Sequence, residues 1–182
     1  ADKKYSLGPL AFRLGQSFES THHLREHVLP ALERLVGQGA ESPSFHVRHD
    51  RRQRLCLFRI DSKHSTLDSV HAGDLLPIDR GAAGSVIREF EQPLAEDTLR
   101  GKGIVIASFG ERDPACAAIA APVFGSRGEF CGAISLSGPK ERFTAVNIRQ
   151  MSPLLTSACR TVTVSLGGIW PWAAKVGRGG KT

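Results

Sequence analysis

The 182-residue sequence predicts an α+β domain: a central, mostly antiparallel six-stranded sheet packed with helices. Three observations predict it. Helical stripes open, divide and close the chain. Between them lie two groups of short β-like runs, three in each. Within a group the runs are linked by turns rather than helices, so neighbouring strands pair antiparallel and a doubly wound parallel sheet is excluded.

The elements follow in the order α-βββ-α-βββ-α. Residues 1–16 read as a connector, with Gly8-Pro9 and Gly15. From about Phe18 to Val36, Leu24, Val28, Leu32 and Leu35 recur at three- and four-residue steps, which is one helical stripe. Pro30 falls inside it and should kink or break the helix, and Gly37 and Gly39 end it. Strands are expected at Phe45–His49, Leu55–Ile60 and Leu67–His71, with the polar turn Asp50-Arg51-Arg52-Gln53 joining the first two. A second helix opens at Gly81-Ala82-Ala83-Gly84 and runs to Phe90, and a short helix is expected within Pro93–Arg100. Strands follow at Ile104–Ser108, Ala117–Phe124 and Phe130–Ser137, the last two joined by Gly125-Ser126-Arg127-Gly128. Thr144 caps a final helix from Ala145 to Leu166. Its buried stripe is Ile148, Met151, Leu155, Ala158, Val162 and Leu166. The division is a linker over 1–16, a domain over 17–168 and a tail over 169–182 that is expected to be mobile.

At 41 % apolar composition one domain of this length builds its own core without metals or staples. Cys56, Cys116, Cys131 and Cys159 stand far apart with no C-x-x-C pair, which argues against a zinc ribbon or a dithiol redox motif. Reduced thiols fit a cytoplasmic address. No run approaches the ~20 apolar residues of a membrane helix, and the polar start, Ala1-Asp2-Lys3-Lys4-Tyr5, is no signal peptide. The net charge of +6 suggests nucleic acid at first sight. However, Lys175, Arg178 and Lys181 in the tail hold half of it, and the body mixes both signs, so no phosphate-tracking groove is read.

Three features carry possible chemistry. At Arg80-Gly81-Ala82-Ala83-Gly84 small side chains admit a ligand to the backbone, and the N–H groups of the helix start suit a carboxylate. The alternative is close helix–sheet packing. In the last strand Cys131, Ala133, Ser135 and Ser137 share a small, hydroxylic face, while Phe130, Ile134 and Leu136 share the apolar one. The small face suits a ligand's polar groups or, alternatively, solvent. Glu111-Arg112-Asp113-Pro114 reads as a charged turn.

Enzyme readings are weak. His23-Leu24-Arg25-Glu26-His27 matches the H-x-x-E-H zinc pattern, but no third ligand is recognisable and seven histidines make a chance match easy. No G-x-S-x-G elbow is present. Glu111 and Asp113 beside Cys116 should raise its thiol pKa and blunt its nucleophilicity. No catalytic residue, metal or cofactor is expected.

Three stretches together resemble the effector domain of bacterial regulators of the isocitrate lyase regulator (IclR) type. They are Tyr5-Ser6-Leu7-Gly8 with Leu14-Gly15; Leu76-Pro77-Ile78-Asp79-Arg80-Gly81-Ala82-Ala83-Gly84; and the run from Gly110-Glu111-Arg112-Asp113 through Ala118-Ile119-Ala120-Ala121-Pro122-Val123-Phe124 and Ala133-Ile134-Ser135-Leu136-Ser137-Gly138-Pro139 to Arg142-Phe143-Thr144. The resemblance covers residues 5–168 and implies a GAF-like fold binding a small organic or aromatic acid. By position it places the ligand against the backbone around Ala82 and Ala83, the hydroxyls of Ser135 and Ser137, and positions Ser108 and Ala118. Family members that bind very small keto acids often carry an acid where Ser108 stands and a cysteine where Ala118 stands, which implies a roomier or less polar pocket here. Arg80 would supply a counter-charge if it turned inward. The resemblance further implies a homodimer or tetramer, DNA contact only through a winged helix preceding residue 1, and no membrane partner. Competing readings are a dimerisation module with a closed pocket, a metal-dependent hydrolase at His23 and His27, and a cysteine redox sensor.

Overall fold

The computed structural model describes residue 6 and residues 8–92 and 103–172, without the side chains of residues 18–22. Two helices come first, α1 (Pro9–His22) and α2 (Leu24–Gly37). The strands β1 (Ser42–Arg48), β2 (Gln53–Arg59) and β3 (Leu75–Pro77) lead to α3 (Ala82–Phe90). Next come β4 (Ile106–Phe109), β5 (Cys116–Phe124) and β6 (Phe130–Pro139), a 3₁₀ turn at Lys140–Arg142, and α4 (Ala145–Ser165). The strands form one sheet in the order β3-β2-β1-β6-β5-β4, every pairing antiparallel. This is the α+β architecture that the strand grouping predicts.

The sheet separates two cores. On one face α2 and α4 cover Phe45, Phe58, Ile119, Val123, Ile134 and Leu136, all buried. The expected stripes of α2 and α4 supply their side of it, and Thr144 Oγ1 caps α4 by accepting the Asn147 N–H at 3.2 Å. On the other face α3 packs Val86, Ile87 and Phe90 over Ala120, Phe124 and Ala133. Gly84 permits that packing, because a Cβ there would sit 2.4 Å from the Ile78 carbonyl oxygen.

Several expectations need correction. The first helix is two helices, broken at His23, whose φ of 49° is left-handed. Helix α1 starts at Pro9, a residue favoured at the first helical position, so residues 9–16 are helical rather than a plain connector. Pro30 neither ends nor splits α2. No strand forms at Leu67–His71. The open edge of β2 is taken by Gly73 and Asp74, which exchange hydrogen bonds with Cys56, and then by β3. Residues 67–71 are left with no strand to pair with. The expected helix within Pro93–Arg100 lies outside the described residues.

Two irregularities change which way side chains face. The register of β1 on β2 shifts between Phe45 and His46, leaving Leu57 as an extra residue. Phe58 therefore points to the helix pair, while Arg54, Cys56 and Arg59 all reach the opposite side. A second shift lies between Val123 and Phe124, with Cys131 the extra residue in β6. It sends Phe130 to the α3 side and Cys131 toward the α2–α4 core, so both depart from the strict alternation expected of that strand.

The tail expected to be mobile from residue 169 begins with docked indoles. Trp170 is 6 % exposed in the α2–α4 core. Trp172 packs edge-on to Phe90 at 5.9 Å between ring centroids. Residues 173–182 lie outside the described residues. No helix among the described residues is long and apolar enough to cross a membrane.

Candidate functional site

On the α3 side, beyond the apolar patch, the sheet turns polar. Cross-strand register sets Ser44 opposite Ser135 and Ser42 opposite Ser137, with Ala118 on the far side of Ser137 and Ser108 beyond it. Ser108, Ser135 and Ser137 are all buried, so the hydroxylic face of β6 does not meet solvent. The start of α3 and the segments around Asp68 and Glu111–Asp113 roof it over. A cavity of about 40 Å³ remains.

Six of the seven residues singled out from sequence line this cavity: Ala82, Ala83, Ser108, Ala118, Ser135 and Ser137. Arg80 does not. Its side chain is exposed, and its carbonyl accepts a hydrogen bond from Arg54 at 3.0 Å. The guanidinium groups at the cavity come instead from β2 and from Arg112. Arg54 is buried beneath the start of α3, its Nη1 donating to the carbonyls of Pro77 and Arg80. Arg59 donates to the Asp68 carboxylate and, at 3.3 Å, to the Ser137 hydroxyl. Arg112 stands 3.6 Å from the same Asp68.

The electrostatics follow from this crowding of guanidinium groups. Burial, then Arg54, Arg59 and Arg112, hold the His46 pKa well below the ordinary histidine value, so the ring is neutral. Its Nε2 shares a 2.8 Å hydrogen bond with the Ser44 hydroxyl. Burial, with Arg112 adding to it, brings Arg54 down to about 10. His46 Nδ1, Arg54 Nε and Asp68 Oδ2 are buried without a hydrogen-bond partner. Such orphaned atoms are rare in folded proteins, and each needs a reason.

The N-terminus of α3 is engaged by the protein itself. Gly81, with φ of 80°, donates its N–H to Glu111 Oε2 at 2.8 Å. The segment read from sequence as a charged turn thus places a carboxylate where the helix dipole and free N–H groups favour one.

The decoys resolve on geometry. His23 lies between two helices rather than one turn before His27 on a single helix. Among the described residues no group of three His, Cys, Asp or Glu is placed to hold a metal. The Cys116 thiol pKa is raised as expected, but burial is the larger cause and Asp113 the second. Burial also pushes Cys56 up to about 12 and Cys131 to about 11.

Sequence reasoning missed His46, Arg54, Arg59, Asp68 and Arg112. A signal existed for one of them, Arg54. In strand alternation Arg54 and Cys56 share a face, and a charge on a buried strand face is worth explaining. Arg59 joins them only through the shift at Leu57, which no local pattern announces.

Residues 94–164 match the family described as bacterial transcriptional regulator IclR, C-terminal. The chain is 25 % identical to the HTH-type transcriptional regulator BhcR of Paracoccus denitrificans, over 89 % of this chain and 67 % of that protein. It is 22 % identical to the transcriptional repressor IclR of Escherichia coli, over 91 % of this chain and 70 % of that one. The fold matches a solved structure from Silicibacter sp. TM1040, described as an IclR transcriptional regulator, with a TM-score of 0.77, 20 % identity and coverage of 91 % of this chain and 75 % of that one. The curled antiparallel sheet, the match of residues 94–164 to the C-terminal family and the relatives that regulate transcription make this chain similar to the C-terminal, GAF-like domain of IclR-type regulators.

Proposed function

We propose that this domain senses a small organic acid, bound with its carboxylate at the N-terminus of α3 and its remaining polar groups on Ser108, Ser135 and Ser137. One observation carries the reading: the Gly81 N–H already holds a carboxylate, that of Glu111, at 2.8 Å. An acidic ligand would make the same bond by taking that place. Ala82, Ala83 and Ala118 leave room for its carbon skeleton. No cofactor or metal takes part. The effector biases a dimer or tetramer between two arrangements, which requires different affinities for the two. DNA is contacted through a winged-helix domain preceding this one, in the cytoplasm.

A thermal-shift screen of this chain against small carboxylates, keto acids and hydroxylated aromatic acids tests the reading. A ligand at 100 times its Kd adds about 2.7 kcal/mol of stability. A stabilising acid is the expected result, and none in the panel would count against an acid sensor.

A second reading, a dimerisation module with a closed pocket, is favoured by the cavity's size. About 40 Å³ holds a water or two, whereas ligand pockets begin near about 300 Å³. Leu10, Phe12 and Leu14, all exposed on α1, would fit such a module.

A further inference from the structure

The cavity contains two positions for an anion, and only one is filled. The first is the α3 N-terminus, where Glu111 sits. The second is Arg54. No carboxylate among the described residues lies in ion-pair distance of it, its Nη1 is spent on two neutral backbone carbonyls, and its Nε has no partner. A buried guanidinium without a counter-charge is costly, and folded proteins rarely keep one without a purpose. His46 Nδ1 is a second orphan lining the same cavity, on a ring kept neutral by burial and by the surrounding arginines. Asp79 acts on Arg54 only from beyond ion-pair distance, and the other neighbouring carboxylates are committed elsewhere. Asp68 serves Arg59 and Arg112, and Asp113 Oδ1 accepts the Ala115 N–H at 2.9 Å.

Size decides how the two positions are used. At about 40 Å³ the cavity admits no organic acid while Glu111–Asp113 roofs it. A ligand therefore enters by displacing Glu111. Displacement leaves both the helix N-terminus and Arg54 without an anion, and a ligand with one carboxylate satisfies only one of them.

We propose that the effector is a small dicarboxylate, one carboxylate replacing Glu111 at the Gly81 N–H and the other held by Arg54 with His46 Nδ1 as an additional donor. The inference rests on the organic-acid reading above and narrows its ligand class. Arg54 is then the specificity-determining residue, and Glu111 is the protein's own competitor for the site.

The test is isothermal titration calorimetry of this chain with matched pairs of equal carbon number: malonate and propionate, succinate and butyrate, glutarate and valerate. At least one dicarboxylate should bind ten-fold or more tightly than its partner. Arg54→Gln should bring that dicarboxylate to the level of its monocarboxylate, while Arg54→Lys keeps part of the preference. Glu111→Gln should tighten both members of the pair, because a neutral amide competes less well for the Gly81 N–H. The wild-type comparison stands whether or not the Arg54 variants fold. Monocarboxylates binding as well as dicarboxylates would overturn the second anion position and leave the organic-acid reading intact. Binding of neither class, in wild type and in Glu111→Gln, would overturn both.

Discussion

Arg142 and Glu41 meet through two hydrogen bonds, Nε to Oε1 at 2.6 Å and Nη2 to Oε2 at 2.9 Å, although 101 residues separate them in the chain. Glu41 is buried just ahead of β1, and its carboxylate raises the Arg142 pKa above the usual arginine value. Arg142 also donates to the Thr66 carbonyl at 2.7 Å, so one guanidinium ties the turn after β6 to the segment that brings Asp68 to the cavity. Glu41→Gln should cost about 2 kcal/mol, since it leaves a charged, partly buried donor set short of its acceptor. Urea unfolding of the two proteins measures it, and an unchanged midpoint would show that the pair holds nothing together.

Ser135 faces the cavity at 3 % exposure, between Ser44 and Ala120 on the neighbouring strands. Ser135→Leu should fill the cavity, with an overpacking cost of about 1–3 kcal/mol, and abolish stabilisation by organic acids. A variant that binds like wild type would place the ligand elsewhere.

His46 makes stability depend on pH, and the sign follows from its lowered pKa. Below the ordinary value of 6.5 the unfolded chain takes up a proton at this residue that the folded chain refuses. Its contribution is therefore fully present above pH 6.5 and falls as the pH drops toward the folded value, by up to about 1.4 kcal/mol per pH unit. Urea melts of wild type and His46→Gln between about pH 5.5 and 7.5 should show the wild type losing stability faster on the acid side. Parallel curves would mean that His46 accepts its proton in the folded state.

Trp170 turns the stretch after α4 into part of the core. Trp170→Ala should cost about 3 kcal/mol, as for other large-to-small core changes, and truncation after Gly168 at least as much. A thermal melt within a degree of wild type would show the indole to be undocked.

Elements set by local chemistry were legible in the sequence. The stripes of α2 and α4, the Thr144 cap and the β5–β6 hairpin need only their own residues; α4 and the two hairpin strands lie within two residues of their expected bounds, whereas α2 starts six residues later than the expected helix. What depended on a partner was not legible. Whether Leu67–His71 or Leu75–Pro77 pairs with β2 is settled by which segment reaches its edge. The left-handed turn at His23 carries no glycine to announce it. At the site, the small residues Ala82, Ala83, Ser135 and Ser137 were readable because their lack of bulk is itself the signal, while Ser108 and Ala118 came only from the family resemblance. The charged ones were not, since Asp68 sat in a misread strand and Arg112 in an ordinary-looking turn.

The extra residue at Leu57 has a consequence for how such domains diverge. Side chains on either side of it in β2 hold the faces of their partners in β1, which plain alternation along β2 does not reproduce. Removing that unit would restore plain alternation with the same pairing, Phe58 on Phe45 and Cys56 on His46, and leave Arg54 facing the cavity. A single in-frame deletion there would thus leave the cavity lining in place while shifting the apparent polar–apolar pattern of β2 by one position.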